Sequence, residues 1–371
     1  MAGGFDPSQL GPMLAMMGNG IWEMPMVQNI AFHPRPATAE YTDGSGKIRD
    51  GTFTMADDSK VAYRLFLPEK KAEVVVYYWH ANAEICTDIT DQAKVFLDAG
   101  AALLSIGHRG FAWGTGQPSL SKLCPDAEAS VAESETLLAG AGLSGYKRVA
   151  MARSIGATCA VHVAAHCAAD FHGLIVESGL MSIKEMPMVQ MMATQMLGPQ
   201  APQIFGAIQE PNDTYSKMAI VACPTLVLHG KMDDMIPLAQ AEGGFDKCPA
   251  VQKRKKVWER AGHNDVQMHA GAEWATLVAS LLAEALEFTN EFPTGALVEA
   301  HSLSKAEFNG LQGKVVGPQP GGERIRVKFD DGEKALKGAN LKVLDRKPPP
   351  PPPVEAKGKG KGDGYGSKAT I

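Results

Sequence analysis

The feature that most constrains the fold is an alternation of short apolar runs with helix-like segments between about residues 50 and 290. Several runs, such as Val74–Trp79 and Ala101–Ile106, are continuous stretches of aliphatic and aromatic residues, which is typical of strands buried in a parallel sheet. The alternation therefore predicts an α/β protein in which helices cover both faces of a mostly parallel sheet. The predicted strands are Val61–Leu67, Val74–Trp79, Ala101–Ile106, Arg148–Ala152, Leu174–Val176, Thr225–Leu228 and Lys255–Trp258, and the predicted helices are Ile89–Ala99, Ala127–Leu138, Ile155–His166 and Gly271–Phe288.

Composition and charge indicate an ordinary globular protein. Hydrophobic residues make up 45% of the chain, charged residues 21%, and the formal net charge is −5, so nothing global favours nucleic acid or an anionic membrane as a partner. No apolar run approaches the roughly 18 residues of a transmembrane segment, and the first residues do not have the pattern of a secretory signal. The six cysteines are scattered without a C-x-x-C pair, which favours reduced thiols and a cytoplasmic location.

Shifts in composition predict four parts of the chain. Residues 1–48 are rich in Met, Gly and Pro and are expected to form a loosely ordered lead-in. Residues 49–291 form the α/β domain, with a cap insertion at about 180–223 between two predicted strands. Residues 294–346 contain short strands broken by turn signals such as Asn-Gly and Asp-Gly, which predicts a small β module. Residues 347–371 are first Pro-rich and then Lys/Gly-rich, and disorder is expected there.

The first candidate for chemistry is Ser154, which follows a predicted strand and precedes an apolar helix. A serine on such a sharp strand-to-helix turn, flanked by small residues, is typical of a nucleophile elbow. Gly156 keeps the small residue two positions after the serine, whereas Ala152 stands two positions before it, where glycine is usual. A serine that only caps the following helix is the alternative interpretation.

Two further strand ends supply an acid and a base. Asp233 follows the predicted strand Thr225–Leu228, and His263 follows the last predicted strand of the domain. The carboxyl ends of parallel strands lie at one edge of the sheet, where ligands bind. The order Ser154, Asp233, His263 is the order expected for a catalytic triad in this topology. The neighbouring Asp234 is interpreted as a capping residue.

One alternative acid remains open. Glu177, at the end of the predicted strand Leu174–Val176, could orient His263 in place of Asp233. The other histidines do not cluster with cysteines or carboxylates at the spacing of metal ligands, so neither a metal nor another cofactor is predicted.

An oxyanion hole requires two backbone N–H groups that point at the developing negative charge. Ile155, directly after the serine, is expected to supply one from the start of a helix. Asn82, in the loop after Val74–Trp79, is the predicted second donor, with Ala81 as the alternative. His80 in the same loop is interpreted as a residue that orders the loop.

These motifs resemble those of the alpha/beta hydrolase domain-containing family, and the closest branch includes protein depalmitoylases. The resemblance implies an α/β-hydrolase fold, esterase or thioesterase chemistry, and Ser154, Asp233 and His263 as the residues that match the family's triad. The sequence departs from the family at Ala81 and Ala152, where the family usually has glycine. The cysteine-rich membrane anchor of depalmitoylases is also not found in this sequence. The segments that carry the resemblance are His80–Glu84, His108–Phe111, Gly114–Ser119, Ala152–Gly156, Glu177–Gly179 and Gly262–Asp265, while residues 294–346 resemble an SH3-like barrel.

The sequence therefore predicts a serine hydrolase of carboxylic esters or thioesters that works through an acyl-enzyme. Methionines of the cap, such as Met186 and Met188, suit a medium or long acyl chain, although they are equally interpretable as core filler. The alternative of a different class is a catalytically silent hydrolase fold that serves as a binding module. The expected partners are a small-molecule or acylated substrate and a protein bound through the β module, with no nucleic acid.

Overall fold

The computed structural model describes residues 18–37, 43–167, 170–319 and 324–346. The strands of its larger sheet are β1 (Ile48–Thr54), β2 (Lys60–Phe66), β3 (Val74–Trp79), β4 (Ala101–Ile106), β5 (Lys147–Arg153), β6 (Gly173–Glu177), β7 (Thr225–Gly230) and β8 (Lys253–Trp258).

The eight strands lie in the order β1-β2-β4-β3-β5-β6-β7-β8. β4, β3, β5, β6, β7 and β8 are parallel to one another, whereas β2 pairs antiparallel with both β4 and the edge strand β1. Every residue of β3, β4, β6 and β7 is buried, as the continuous apolar runs predict. The predicted mostly parallel sheet is thereby confirmed. β1 was not predicted because it is a polar edge strand in which only Phe53 is buried.

Helices cover both faces of this sheet. Phe96 and Trp274 meet edge to face on one side, with ring centroids 5.9 Å apart, and belong to one hydrophobic core with the sheet. Val131 and Val161 lie in the core on the other side. The helices are α1 (Pro25–Ala31), α2 (Thr90–Asp98), α3 (Leu123–Gly140), α4 (Ala157–His166), α5 (Pro187–Leu197), α6 (Ala201–Ala207), α7 (Thr214–Met218), α8 (Leu238–Lys247), α9 (Val266–Ala270) and α10 (Ala272–Glu287). No helix within the described ranges is both long and apolar enough to cross a bilayer.

The segment 18–37 packs onto the domain, which differs from the loosely held lead-in that the sequence suggests. Trp22 and Phe32 are each only 3% exposed, and the Trp22 Nε1–H donates to the carbonyl oxygen of Gln209 at 2.6 Å. Pro36 forms a parallel bridge with Ala112. The sequence of this segment lacks helix or strand periodicity. Burial of each of the two aromatic side chains nevertheless stabilises its packing against the domain by about 1.5–3 kcal/mol. Residues 1–17 and 38–42 lie outside the described residues.

The C-terminal part forms a second, antiparallel sheet with its own core, which includes Val298, Val315 and Phe329. It packs closely against the segment that precedes β7. A Cβ atom placed on Gly317 would lie only 2.9 Å from the Cβ of Ile220. This is compatible with the predicted small β module, whose SH3-like form stays a prediction. The predicted tail at 347–371 lies outside the described residues. The strands are β9 (Leu297–Ala300), β10 (Gln312–Pro318), β11 (Arg324–Phe329), β12 (Gly332–Lys337) and β13 (Leu341–Asp345), in the order β12-β11-β10-β9-β13.

Candidate active site

Ser154 occupies a strained turn between β5 and α4. Its φ of 55° lies in the left-handed region, which costs about 1–3 kcal/mol for a residue with a Cβ atom. A single 3-10 turn, Ser154–Gly156, joins the strand to the helix. A side chain at Gly156 would collide with the carbonyl oxygens of Trp79 and His80, so the close approach of this turn to the end of β3 requires glycine there. The interpretation of Ser154 as a mere helix cap has no support in this geometry, since the residue makes no capping hydrogen bond to α4.

The three predicted triad residues meet at the carboxyl edge of the sheet. Ser154 Oγ lies 3.0 Å from His263 Nε2, and His263 Nδ1 lies 2.8 Å from Asp233 Oδ2. All three residues are buried. A carboxylate at Nδ1 selects the tautomer in which Nδ1 carries the proton, which leaves Nε2 as an acceptor for the serine hydroxyl.

Asp233 is held as a carboxylate by a set of donors. Its Oδ1 accepts hydrogen bonds from the backbone N–H groups of Met235 at 3.0 Å and Ile236 at 2.8 Å. Burial by itself would raise the pKa of Asp233, but the hydrogen bonds from His263 and from the backbone hold this pKa below its ordinary value. The neighbouring His229 donates from Nε2 to the Ile236 carbonyl at 2.9 Å, and burial lowers the pKa of this histidine.

The alternative acid, Glu177, is directed elsewhere. Its carboxylate accepts from Trp274 Nε1 at 2.6 Å and from Gln267 Nε2 at 3.2 and 3.3 Å. Burial raises the pKa of Glu177 above its ordinary value. The geometry therefore places Asp233, and not Glu177, against His263.

The Arg153 guanidinium connects the loops around the serine. Its Nη2 donates to the carbonyl oxygen of His263 at 3.0 Å and to Asn264 Oδ1 at 2.6 Å. Its Nη1 pairs with the carboxylate of Glu84, whose Oε2 in turn accepts from the backbone N–H of Ala81 at 2.9 Å. One side chain next to the serine thus holds both the histidine loop and the loop after β3.

The predicted oxyanion donors belong to the loop after β3 and to the turn that follows Ser154. Asn82 and Ile155 both line the cavity above the serine. The Asn82 side chain accepts from the backbone N–H groups of His33 at 2.8 Å and Ala83 at 3.0 Å, which fixes the loop. The N–H of Ala81, the alternative donor, is already used by Glu84. Asn82 therefore stays the predicted second donor.

A cavity of about 400 Å³ opens above Ser154. Arg153, Ser154 and His263 line this cavity, and we call these three residues, together with Asp233 that hydrogen-bonds His263, the floor. We call the apolar lining that two helices and the loops after β6 and β7 contribute the roof. The hexapeptide Glu-Met-Pro-Met-Val-Gln occurs at 23–28 and again at 185–190, and both copies begin a helix at their proline, α1 and α5. Both helices contribute to the roof, which consists of Ile30, Ala31, Leu180, Ile183, Met186, Met188, Val189, Met235 and Ile236.

Sequence reasoning did not find the roles of Arg153, Glu84 and His33. Arg153 and Glu84 lie inside the motifs that point to the site. Their opposite charges, one beside the predicted nucleophile and one in the predicted oxyanion loop, could have indicated an ion pair between the two segments. His33 carried no such signal, because its contact with Asn82 depends on the packing of the N-terminal segment.

Comparisons with known proteins agree with this architecture. No protein-family model matches the chain. It is 27% identical to protein bem46 of Schizosaccharomyces pombe over 253 residues, which cover 68% of this chain and 79% of that protein. It is 27% identical to the alpha/beta hydrolase domain-containing protein aho-3 of Caenorhabditis elegans over 217 residues, 57% of this chain and 59% of the relative. The chain thus spans less than two thirds of the length of aho-3.

Among solved structures, the esterase Pf2001 of Pyrococcus furiosus superposes with a TM-score of 0.55. The sequence identity is 14%, and the superposition covers 69% of this chain and 97% of the esterase. The predicted fold class is confirmed, and so is the resemblance to alpha/beta hydrolase domain-containing proteins. The chain therefore has the α/β-hydrolase fold, and its sequence relatives are alpha/beta hydrolase domain-containing proteins.

Proposed function

We propose that this protein is a serine hydrolase that cleaves carboxylic esters or thioesters of medium or long acyl chains through an acyl-enzyme intermediate. The observation that carries the proposal is the continuous hydrogen-bonded series from Ser154 Oγ through His263 to Asp233, at the floor of an apolar cavity. The fold and the relatives supply independent support for hydrolase chemistry.

In the first step His263 Nε2 takes the proton of Ser154 Oγ as this oxygen attacks the acyl carbon. Asp233 stabilises the imidazolium that forms and keeps its Nδ1 proton in place. The tetrahedral intermediate collapses, the bond to the alcohol or thiol breaks, and His263 returns the proton to this leaving group. Water activated by the same imidazole then cleaves the acyl-enzyme and releases the acid.

The backbone N–H groups of Ile155 and Asn82 receive the oxyanion in both steps. Donors that are fixed before the reaction stabilise developing charge without reorganisation, which is worth about 3–4 kcal/mol per donor in such sites. The hydrogen bonds that Asn82 receives from His33 and Ala83 and the ion pair between Glu84 and Arg153 support such a fixed loop.

The roof suits the acyl chain rather than a polar substrate. Methionine side chains adapt to chains of different shape because they are flexible and polarizable. Met188 is 50% exposed and Met235 41% exposed, so apolar surface lies both in the cavity and at its mouth. This arrangement supports a substrate whose chain enters along the methionines.

None of the described residues of the C-terminal β module lines the cavity. It packs near Ile220, which precedes β7, whereas Asp233 follows the carboxyl end of that strand. We therefore propose an accessory role for this module, such as binding a protein partner, in a cytoplasmic enzyme.

Labelling with a fluorophosphonate probe tests the proposal, with the wild type beside Ser154→Ala and Ser178→Ala. Ser178 is a matched control, because it is also buried, follows the neighbouring strand β6 and has a φ of 47°. We expect labelling of the wild type and of Ser178→Ala, and none of Ser154→Ala. A series of p-nitrophenyl esters and of acyl thioesters then identifies the chain length and the leaving group. Absence of labelling in the folded wild type would overturn the proposal and leave the silent binding module.

A further inference from the structure

A cysteine with a lysine as its direct neighbour lies outside the cavity, at the start of α3. Cys124 is the second residue of this 18-residue helix and is 7% exposed. Lys217 of α7 places its Nζ 3.0 Å from Cys124 Sγ. The ammonium is a donor without acceptor capacity, so its hydrogen bond to sulfur becomes much stronger when the sulfur is a thiolate.

A histidine and a carboxylate complete the cluster. His162 of α4 lies beside the thiol, and its Nε2 is 2.7 Å from Glu128 Oε1. Burial alone would lower the pKa of His162, but the hydrogen bonds to Cys124 and Glu128 raise this pKa above its ordinary value and so favour a protonated imidazole. A Cys124 thiolate, the Glu128 carboxylate, the His162 imidazolium and the Lys217 ammonium would together carry no net charge. This pairing lowers the free-energy cost of a thiolate inside the protein.

Two contacts favour the neutral thiol instead, and one of them is the carbonyl oxygen of Thr158, 3.9 Å from Cys124 Sγ. Asn212 Oδ1 lies 3.2 Å from Sγ, and its orientation is fixed because Nδ2 donates to the carbonyl of Leu120 at 2.7 Å. Burial also raises the pKa of Cys124. The interactions with His162 and Lys217 lower the pKa of Cys124 by more than burial raises it, so this pKa lies below its ordinary value. A helix start adds to this effect.

The matched comparison lies in the same region. Cys159 of α4 is 1% exposed, its Sγ donates to the carbonyl of Leu123 at 3.4 Å, and burial raises its pKa. It is an ordinary buried thiol, whereas Cys124 is surrounded by cations.

We propose that Cys124, paired with Lys217 and with the His162–Glu128 pair, is a peroxide-reactive site that forms a sulfenic acid. The thiolate sulfur attacks one oxygen of hydrogen peroxide, the S–O bond forms, and the O–O bond breaks. The leaving hydroxide takes a proton from the Lys217 ammonium or the His162 imidazolium and departs as water. Sulfur is oxidised and peroxide is reduced, so no other reactant is needed.

The test treats the full chain at pH 7 with hydrogen peroxide in the presence of dimedone, which traps sulfenic acids, and locates the adduct by peptide mass spectrometry. We expect the adduct at Cys124 of the wild type and of Cys159→Ser, and at least tenfold slower formation in Lys217→Met. Lys122→Met is the control for charge, because Lys122 is exposed and lies two residues before the cysteine. This variant should react like the wild type.

Two results would overturn the proposal. One is that Cys124 of the folded protein gives no more adduct than Cys159. The other is that Lys217→Met, folded as judged by circular dichroism, reacts as fast as the wild type. Neither result bears on Ser154, since the fluorophosphonate experiment does not involve the thiol.

Discussion

The floor and the roof of the cavity contrast in how their residues are held. Ser154, Asp233 and His263 are each less than 9% exposed and take part in hydrogen bonds from several loops. The roof residues Met188 and Met235 are 50% and 41% exposed, and their apolar side chains rely on packing alone.

The difference follows from the elements that carry each region. The floor lies at the carboxyl ends of β5, β7 and β8, which are held by hydrogen bonds to neighbouring strands of one sheet. The roof comes from α1, α5 and the loops after β6 and β7, which the chain adds around that sheet. Fixed strand ends suit chemistry that tolerates little displacement, and adaptable helices suit a variable apolar chain. Substitutions in the floor should therefore change kcat, and substitutions in the roof should change the preference for acyl chain length.

The largest effect is expected for Asp233→Asn, which removes the acceptor that fixes the His263 tautomer. We expect kcat to fall by about 10³- to 10⁴-fold with little change in fold, because an amide oxygen can still accept from Met235 and Ile236. Ester hydrolysis measures this effect. The exposed Asp234 is the control, and Asp234→Asn should stay close to the wild type. An equal loss in Glu177→Gln with an active Asp233→Asn would contradict the assignment of the acid.

Replacement of Arg153 by methionine tests whether the floor depends on one shared positioning residue. We expect kcat to fall by about 10- to 100-fold while KM changes little, because loops that move by about 1 Å misplace both His263 and the oxyanion donors. Steady-state kinetics on one ester separates the two constants.

Two further variants distinguish positioning from general destabilisation. Arg153→Lys keeps a cation that can reach one acceptor, so it should recover part of kcat. Arg148→Met, at the other end of the same strand, removes an arginine that pairs with Glu135 and should leave kcat unchanged. Equal losses at the two arginines would mean that Arg153 acts only through stability.

The floor could largely be predicted from the sequence, for a physical reason. Ser154, Asp233 and His263 each follow an apolar strand, and parallel strands bring their carboxyl ends to one edge whatever the loops do. Order and local pattern were therefore enough to place the three residues near one another.

The roof and the supporting network could not be predicted in the same way. The contact between His33 and Asn82 joins residues 49 positions apart through a segment without periodicity. The contacts of Arg153 depend on how the loops after β3 and β8 fold, which spacing along the chain does not encode. β1 and β12 were missed because polar strands at the edge of a sheet bury few residues.

A smaller effect is expected in the roof, from Met188→Ser. Met188 lines the cavity, whereas Met191 of the same helix is 55% exposed and does not. We expect Met188→Ser to lower kcat/KM for an octanoyl ester relative to an acetyl ester by about three- to tenfold, because apolar contacts to a few methylenes are lost. Met191→Ser should keep the wild-type ratio. A uniform loss for both esters would place Met188 outside the acyl site.

The smallest effect concerns pH and also separates the two regions. The folded-state pKa of Asp233 is below its unfolded value, so its carboxylate stabilises the protein above the unfolded pKa, and this stabilisation is lost as pH falls through the folded value. Methionines do not titrate, so the roof lacks this dependence. We expect the Tm difference between wild type and Asp233→Asn to be constant from pH 5 to 7 and to narrow below about pH 4. Thermal melts of both proteins across this range measure it, with Met188→Ser as the variant whose difference from the wild type should not narrow. A difference for Asp233→Asn that persists unchanged to pH 2 would mean that the charge of Asp233 does not stabilise the floor.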